Sequence, residues 1–397
     1  LGTKESEVKY VRDKFHSKGL NTLVIDTSIL GTPVEISPDV SSDMIARAAG
    51  TTIGKLREMY RSPAVMEMTK GIPKIVLDLH EKGEFDGIMT LSGETGGAMA
   101  AAATKALPVG VPKLMVCCAF QGTSMFGNFV GTNDVLLMHS VTDILGVNAF
   151  TRKIFDTAVA AMAGMVNEGI TPEIKGDNLI ATTMFGNTTE GVMAVKEIVE
   201  KHGYEFVVFH PSGTGGRAME EYIRRGVFKG VLDMTTQDIV DQEYGGFHPG
   251  GPTRLEAAGD MGIPQVFVPG CMDFIAVGGA DEIPERLRGR KFYPHCPTST
   301  NVRTTKEEMV HLAEIVASKL NKAKGPVAVV IPLKGWSRPN RPGYPLWDQE
   351  ADGAFIDRLK ELLNRNIPVY EVDAHINTRA FAEKAAAVLL DLLEKSK

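Results

Sequence analysis

Cysteine is scarce in this sequence and unpaired. Cys117, Cys118, Cys271 and Cys296 are the only four in 397 residues, with no C-x-x-C and no regular spacing. That pattern gives neither a zinc site nor a disulfide framework, so reduced thiols in a cytoplasmic protein and no structural metal are expected. Long apolar runs are missing too. The longest, such as GPVAVVIPL at 325–333, reach strand length and fall well short of the roughly 20 residues of a membrane helix, so no membrane partner is expected. There is no basic excess: 43 Lys and Arg stand against 49 Asp and Glu, a formal charge of −6. A surface built to neutralise phosphates shows the opposite balance, which argues against a nucleic-acid partner. No G-x-x-x-x-G-K-[ST] occurs, which disfavours a P-loop NTPase, and no G-x-S-x-G elbow supports a serine hydrolase. The opening LGTKESEVKYVRDKF carries no secretory pattern and runs almost at once into an amphipathic helix. This predicts that part of a first strand lies outside the sequence.

What the chain does contain is glycine, 41 residues of it, in a background 43% apolar and 23% charged, the profile of a soluble α/β protein. At this length two domains are expected. Short β-branched runs alternate with helical periods. Leu20–Ser28, Phe85–Gly93 and Val111–Cys118 read as buried parallel strands of the first half; Asp177–Gly186, Glu205–Gly213, Gly230–Thr235, Ile263–Gly270, Gly325–Leu333 and Ile367–Ala374 do so in the second. The rhythm predicts an α/β fold of two Rossmann-like domains, each a doubly wound, mostly parallel sheet flanked by helices. The boundary is placed in GITPEIKG at 169–176, giving domains 1–172 and 173–397.

Two glycine-rich turns nearly repeat: SGETGGAM from Ser92 to Met99 and SGTGGRAM from Ser212 to Met219. Aligned at a constant offset of 120, positions 71–99 and 191–219 share seven identities in 29, among them Gly71 with Gly191, Gly83 with Gly203, Gly93 with Gly213 and Gly96 with Gly216. They fall on turn residues, which suggests duplication; the alternative is that any two strand–turn–helix units look alike at this level.

Such a turn lies at the carboxyl edge of a sheet, where glycine lets an anion approach the backbone and the first helical N–H groups are free donors at the positive end of a dipole. Gly213, Thr214, Gly215, Gly216 and Arg217 are therefore candidate phosphate binders. A tight turn whose glycines only permit close packing is the competing reading. Gly213, Gly215 and Ala218 also satisfy G-x-G-x-x-A, and Asp233 follows 20 residues after Gly213, spaced to accept ribose hydroxyls. Gly186, Asn187, Thr188 and Thr189, in the turn FGNTTEG, and Thr235 add donors at the same edge. The first turn carries Glu94 where the second has Thr214, and it lacks an Arg. Other polar residues at strand ends are Asp273, His295 and Arg303, which with Glu94 are candidates for catalysis at a cleft between domains. Residues 234–260, with His248 and Arg254, look like a ligand-covering loop. Cys271 reads as a buried thiol, and Asp373 with His375 as either a local cap or an acid–base pair.

Several strings are long enough to be specific: VGTNDVLLMHSVTDILGVNAFTRKI, GTGGRAME, GVLDMTTQDIVDQEYGG, GPTRLEAAGDMGIPQVFVPG, RGRKFYPHCPTSTNVRTTKEE, GPVAVVIPLKGWS and VDAHINTRAFAE. With SGETGGAM they resemble, in order and through essentially the whole chain, the ATP-binding domain family of the tomato mosaic virus resistance protein. The resemblance implies two Rossmann-like domains, ATP binding and a homodimer, without implying a reaction. The family opens with a strand and a G-T-x-D-T-K-like turn, where this chain has LGT running into KESEV, which leaves the part played by Gly2 and Thr3 open. The expected function is ATP binding with a small-molecule ligand, extended to ATP-dependent chemistry on a small carboxylate, with Mg²⁺ accompanying the nucleotide. The alternatives are an NAD(P)-dependent oxidoreductase and a non-catalytic, nucleotide-switched binding module.

Overall fold

The structure is a computed structural model and describes residues 1–119, 127–169, 174 and 176–396. The chain divides into two units, Leu1–Glu173 and Ile174–Lys397.

In unit 1, helices α1 (Glu5–Ser17), α2 (Ser42–Ala48), α3 (Ile53–Glu58) and α4 (Arg61–Glu81) precede strand β1 (Ile88–Ser92). Side chains set the helix starts: Ser41 accepts from the Met44 N–H and Thr52 from that of Lys55, each satisfying a donor with no partner inside its helix. After β1 come α5 (Glu94–Ala106), β2 (Lys113–Cys117), β3 (Leu136–His139) and α6 (Ala149–Asn167), the last begun by a capping box between Asn148 and Thr151. The strands form one parallel sheet in the order β1-β2-β3. Two expectations change here. Leu20–Ser28 joins no sheet among the described residues and makes a single parallel bridge, Ile25 to Val40, while β3 went unread although Val135–Met138 is a short apolar run.

Unit 2 follows its sequence pattern closely. Its elements are β4 (Leu179–Thr183), α7 (Thr189–Lys201), β5 (Glu205–Phe209), α8 (Thr214–Arg224), β6 (Gly230–Asp233), α9 (Gln237–Tyr244), α10 (Ala257–Met261) and β7 (Gln265–Phe267). Then come β8 (Phe274–Val277), β9 (Phe292–Cys296), β10 (Ser299–Arg303), α11 (Lys306–Leu320), β11 (Val327–Pro332), α12 (Gln349–Leu362), β12 (Val369–Val372) and α13 (Arg379–Lys395). Six strands make one all-parallel sheet in the order β12-β11-β7-β6-β4-β5. Both faces are covered, which is why Val327–Ile331 is apolar without alternation. On one face Val192, Val195 and Val199 of α7 pack with Phe381, Ala385 and Leu389 of α13; on the other, Leu312 and Val316 of α11 pack with Phe355 and Leu359 of α12. Each fully buried side chain of this kind stabilises the fold by roughly 1.5–3 kcal/mol. The unexpected part is a small antiparallel sheet, β8-β10-β9, built from segments that read as connections.

Chain order reverses at β4: β5 lies on one side of it and β6 on the other. The crevice at such a reversal is where open α/β sheets take ligands. Strand order also separates the two halves of the expected duplication, since β5 is an edge strand beside β4 whereas β1 pairs with β2, the strand that follows it. The likeness is local to helix, strand and turn.

Candidate functional site

Three turns meet at the carboxyl ends of β4, β5 and β6. After β5 the chain makes a tight bend, Ser212 N–H to His210 O at 2.7 Å, and Gly213 takes φ +80°, a conformation that costs other residues energy. Helix α8 then begins. Each glycine of the turn has a packing reason. A Cβ on Gly213 would lie 3.0 Å from the Pro249 carbonyl, one on Gly215 would overlap the His210 carbonyl, and one on Gly216 would overlap the Asp238 carboxylate. The amides of Thr214, Gly215 and Gly216 nonetheless find no acceptor among the described residues. Arg217, exposed, donates from Nε to the Gly213 carbonyl at 3.1 Å, and the first turn of α8 holds no acidic residue.

Beneath this turn lies a buried ion cluster. Arg254 donates to both oxygens of Asp233 at 2.5 and 2.7 Å, to Asp238 at 2.8 Å and to Glu220 at 3.2 Å. All four residues are at most 4% exposed. Burial pushes the Asp238 carboxyl up to about 7 against the pull of Arg254, and burial raises Glu220 as well. Asp233, expected to accept ribose hydroxyls, has its two oxygens held by Arg254 and also accepts from Thr183 at 2.7 Å. Arg254, expected in a covering loop, is part of the interior.

The β4 turn is partly used up in the same way. Thr188 accepts from the Phe185 N–H at 3.2 Å and shares a 2.8 Å hydrogen bond with Thr235. The Thr235 N–H goes to Thr183 at 2.8 Å, and the Thr189 hydroxyl to the Phe185 carbonyl at 3.1 Å. Their hydroxyls tie β4 to β6. Gly186 is exposed, and the side chain of Asn187, in a residue 4% exposed, has no hydrogen-bond partner among the described residues.

Histidines border the two turns. His210 and His248 flank Phe185 at ring distances of 4.8 and 5.4 Å. The His295 ring comes within 3.7 Å of the place a Cβ on Gly186 would take. Burial and the nearby His248 hold His210 below the usual imidazole range. His248 Nδ1 lies 3.3 Å from Asp241, a buried carboxylate that also accepts from the His248 and Ala276 amides at 2.9 Å. His210 escaped the sequence reading, although its position at the end of a strand, in FVVFHPSG, was the available signal.

The remaining candidates disperse. Asp273 is buried, pushed up to about 7 by that burial, and accepts from Ser337 at 2.7 Å. Arg303 is buried against the Asp273 carbonyl at 2.8 Å and Asp352 at 2.5 Å. Both are buried in these contacts within unit 2. Glu94 is the exposed first residue of α5 in unit 1. Cys271 is fully buried with its thiol raised well above the usual range, first by that burial, as an inert thiol would be. His375 donates from Nε2 to the Ser337 carbonyl at 2.9 Å and accepts the Asn377 N–H at Nδ1, so it is a local cap. Among the described residues no group of three or more His, Cys, Asp and Glu is arranged to hold a metal ion, and no helix is long and apolar enough to cross a membrane.

Comparison with known proteins gives a family for both halves. The N-terminal domain of the uncharacterised protein family UPF0261 matches residues 1–171, and its C-terminal domain matches 177–393. The chain is 41% identical over 398 residues to a UPF0261 protein of Clostridium tetani, covering 100% of this chain and 98% of that one. It is 31% identical over 387 residues to a UPF0261 protein of Brucella suis, covering 97% and 92%. It is also 34% identical over 356 residues to the ToMV resistance protein Tm-1(GCR237) of Solanum lycopersicum, covering 87% of this chain and 46% of that protein. The chain thus spans about half the length of the tomato relative.

Proposed function

For this chain, which belongs to the UPF0261 family, we propose that unit 2 binds ATP with its phosphates at the start of α8. The observation that carries this is the set of amides of Thr214, Gly215 and Gly216 that meet no acceptor among the described residues, at the positive end of a helix, with the Arg217 cation beside them and no acid in the first turn. The donor set fits phosphate. It does not fit the ribose contact expected of Asp233. Asn187, whose side-chain amide has no partner among the described residues and lies at the reversal point of the sheet, is the polar side chain best placed for the rest of the nucleotide. Mg²⁺ in this reading arrives on the phosphate oxygens.

The NAD(P) alternative loses both of its supports. Its fingerprint belongs after the first strand of the sheet, at the reversal point, whereas Gly213–Ala218 follows the edge strand β5; its acid, Asp233, is held by Arg254. With Asp273 and Arg303 in the interior, binding comes first in this proposal and turnover on a small carboxylate second; self-association as a homodimer and a cytoplasmic location complete it. Calorimetry with ATP and NADH in parallel tests it. ATP binds, and Arg217→Ala weakens it about tenfold, the loss of one exposed charge-assisted contact. NADH binding without an ATP signal would reverse the order.

A further inference from the structure

Three of the chain's nine histidines, from three separate segments, border the two turns that the nucleotide reading uses. His210 follows β5, His248 lies in the glycine-rich connection after α9, and His295 is in β9. The His248–Pro249 peptide lies against the start of α8: a Cβ on Gly213 would sit 3.3 Å from the His248 carbonyl carbon and 3.0 Å from the Pro249 carbonyl oxygen. The His248 ring packs on Phe185, just before Gly186, so this residue reaches from the α8 start to the β4 turn.

Helix α9 fixes the segment that carries it. The Gly246 N–H goes to the Asp241 carbonyl at 3.0 Å, the His248 N–H to the Asp241 carboxylate at 2.9 Å, the Gly250 N–H to the Asp238 carbonyl at 3.0 Å and the Gly251 N–H to the Gln242 side chain at 2.9 Å. A Cβ on Gly246 would overlap the Asp241 carboxylate, so glycine there lets the acid sit against the loop.

Of the three histidines, His248 is the one with a carboxylate at its ring among the described residues. Its Nδ1 is buried and Asp241 Oδ2 lies 3.3 Å away, a contact of charge without hydrogen-bond alignment, while Nε2 has no partner among the described residues. Asp241 is fully buried and held by the His248 and Ala276 amides at 2.9 Å. A carboxylate at one ring nitrogen keeps the proton there and leaves the lone pair on the other, which is how an imidazole is prepared as a nucleophile or base. Burial and then the nearby His248 hold His210 below the usual imidazole range, so at pH 7 it is neutral and has one ring N–H to give to an incoming oxygen. An anion site needs only free amides and a cation; an oriented imidazole beside them adds a group that can react.

We infer that His248 is a phosphoryl acceptor, its Nε2 taking the γ-phosphoryl group of ATP bound at the start of α8. The inference rests on that nucleotide reading. The Nε2 lone pair forms the N–P bond as the bond from the γ-phosphorus to the oxygen shared with the β-phosphate breaks, and that electron pair leaves on ADP. The proton on Nδ1 stays in place, and Asp241 offsets the positive charge that the ring acquires.

The experiment incubates the full chain with γ-³²P-labelled ATP and Mg²⁺, quenches in alkaline denaturant and locates the label by peptide. The expected result is ATP binding by calorimetry together with a label on His248 that is stable in base and lost in acid, as an N–P bond is. Labelled ADP should exchange into ATP with no second substrate added. His248→Asn should lower labelling and exchange about a hundredfold or more, in a folded protein that still gives a calorimetric ATP signal. ATP binding with no such label, or with the label on another residue, would overturn the inference and leave the nucleotide reading standing; absence of ATP binding would overturn both. If His248→Asn does not fold, the position and acid lability of the wild-type label decide alone.

Discussion

The two glycine-rich turns share a scaffold and differ in what they leave open. Upstream they agree in detail: a Cβ on Gly71 would overlap the Ile45 carbonyl and one on Gly191 the Ile376 carbonyl, and Gly83 and Gly203 end their helices at φ +70° and +81°. At the turn they part. Gly93 has φ −84° with nothing within 4 Å of its would-be Cβ, whereas Gly213 has φ +80° under the Pro249 carbonyl. The first turn then places exposed Glu94 at the first helical position, where a carboxylate satisfies the dipole. The second places Thr214 there and builds a buried ion cluster underneath. Repeated glycines therefore report a shared way of packing helix on strand, and the residue after them decides whether an anion is welcome.

The comparison breaks hardest at the third glycine. Gly216→Ala forces a methyl into Asp238 beside Arg254 and should destabilise the chain by roughly 3 kcal/mol or more, since it disturbs a buried charge cluster. Gly96→Ala meets only the Ser92 Cβ at 3.1 Å and should change stability by less than about 1 kcal/mol, helix propensity offsetting the contact. Urea denaturation of the pair decides it; equal effects would mean the two turns are packed alike.

The acids of unit 2 give the next largest effect. Asp238 and Asp273 each have an ordinary value of 3.8 and are pushed up to about 7 by burial. An acid raised in the fold favours the fold while protonated, so this stabilisation is complete below about pH 4 and drains away as pH rises through 7, by on the order of a few kcal/mol. Unfolding at pH 5 and pH 8 should show the lower stability at pH 8, and Asp238→Asn should flatten the difference. A wild-type profile that rises over this range would contradict the burial argument.

Gly213→Ala against Gly93→Ala is the smallest contrast. The first must hold a side chain at positive φ, costing about 1–2 kcal/mol; the second enters open space and should be close to neutral. Matching melting temperatures would remove the conformational difference between the turns.

Much of unit 2 was legible because its strands are continuous apolar runs ended by Gly or Pro, as in Val327–Pro332, and covered on both faces. The site was legible only in outline. Asp233 stands at the spacing of a ribose acceptor, and nothing short of the fold brings Arg254 onto it. Gly215 and Gly216 look like phosphate glycines, and only tertiary packing reveals the His210 carbonyl and Asp238 against them. The antiparallel β8-β10-β9 sheet escaped for the reverse reason, since exposed β9, Phe292–Cys296, carries no apolar pattern.

The most direct test turns the second loop into the first. Thr214→Glu places a carboxylate at the start of α8 as Glu94 stands at the start of α5, an exchange that should leave thermal stability within about 1 kcal/mol of wild type. Calorimetry should then show ATP affinity reduced at least tenfold in a folded protein. Unchanged ATP affinity in that variant would contradict the claim that the amides at this helix start receive the phosphates.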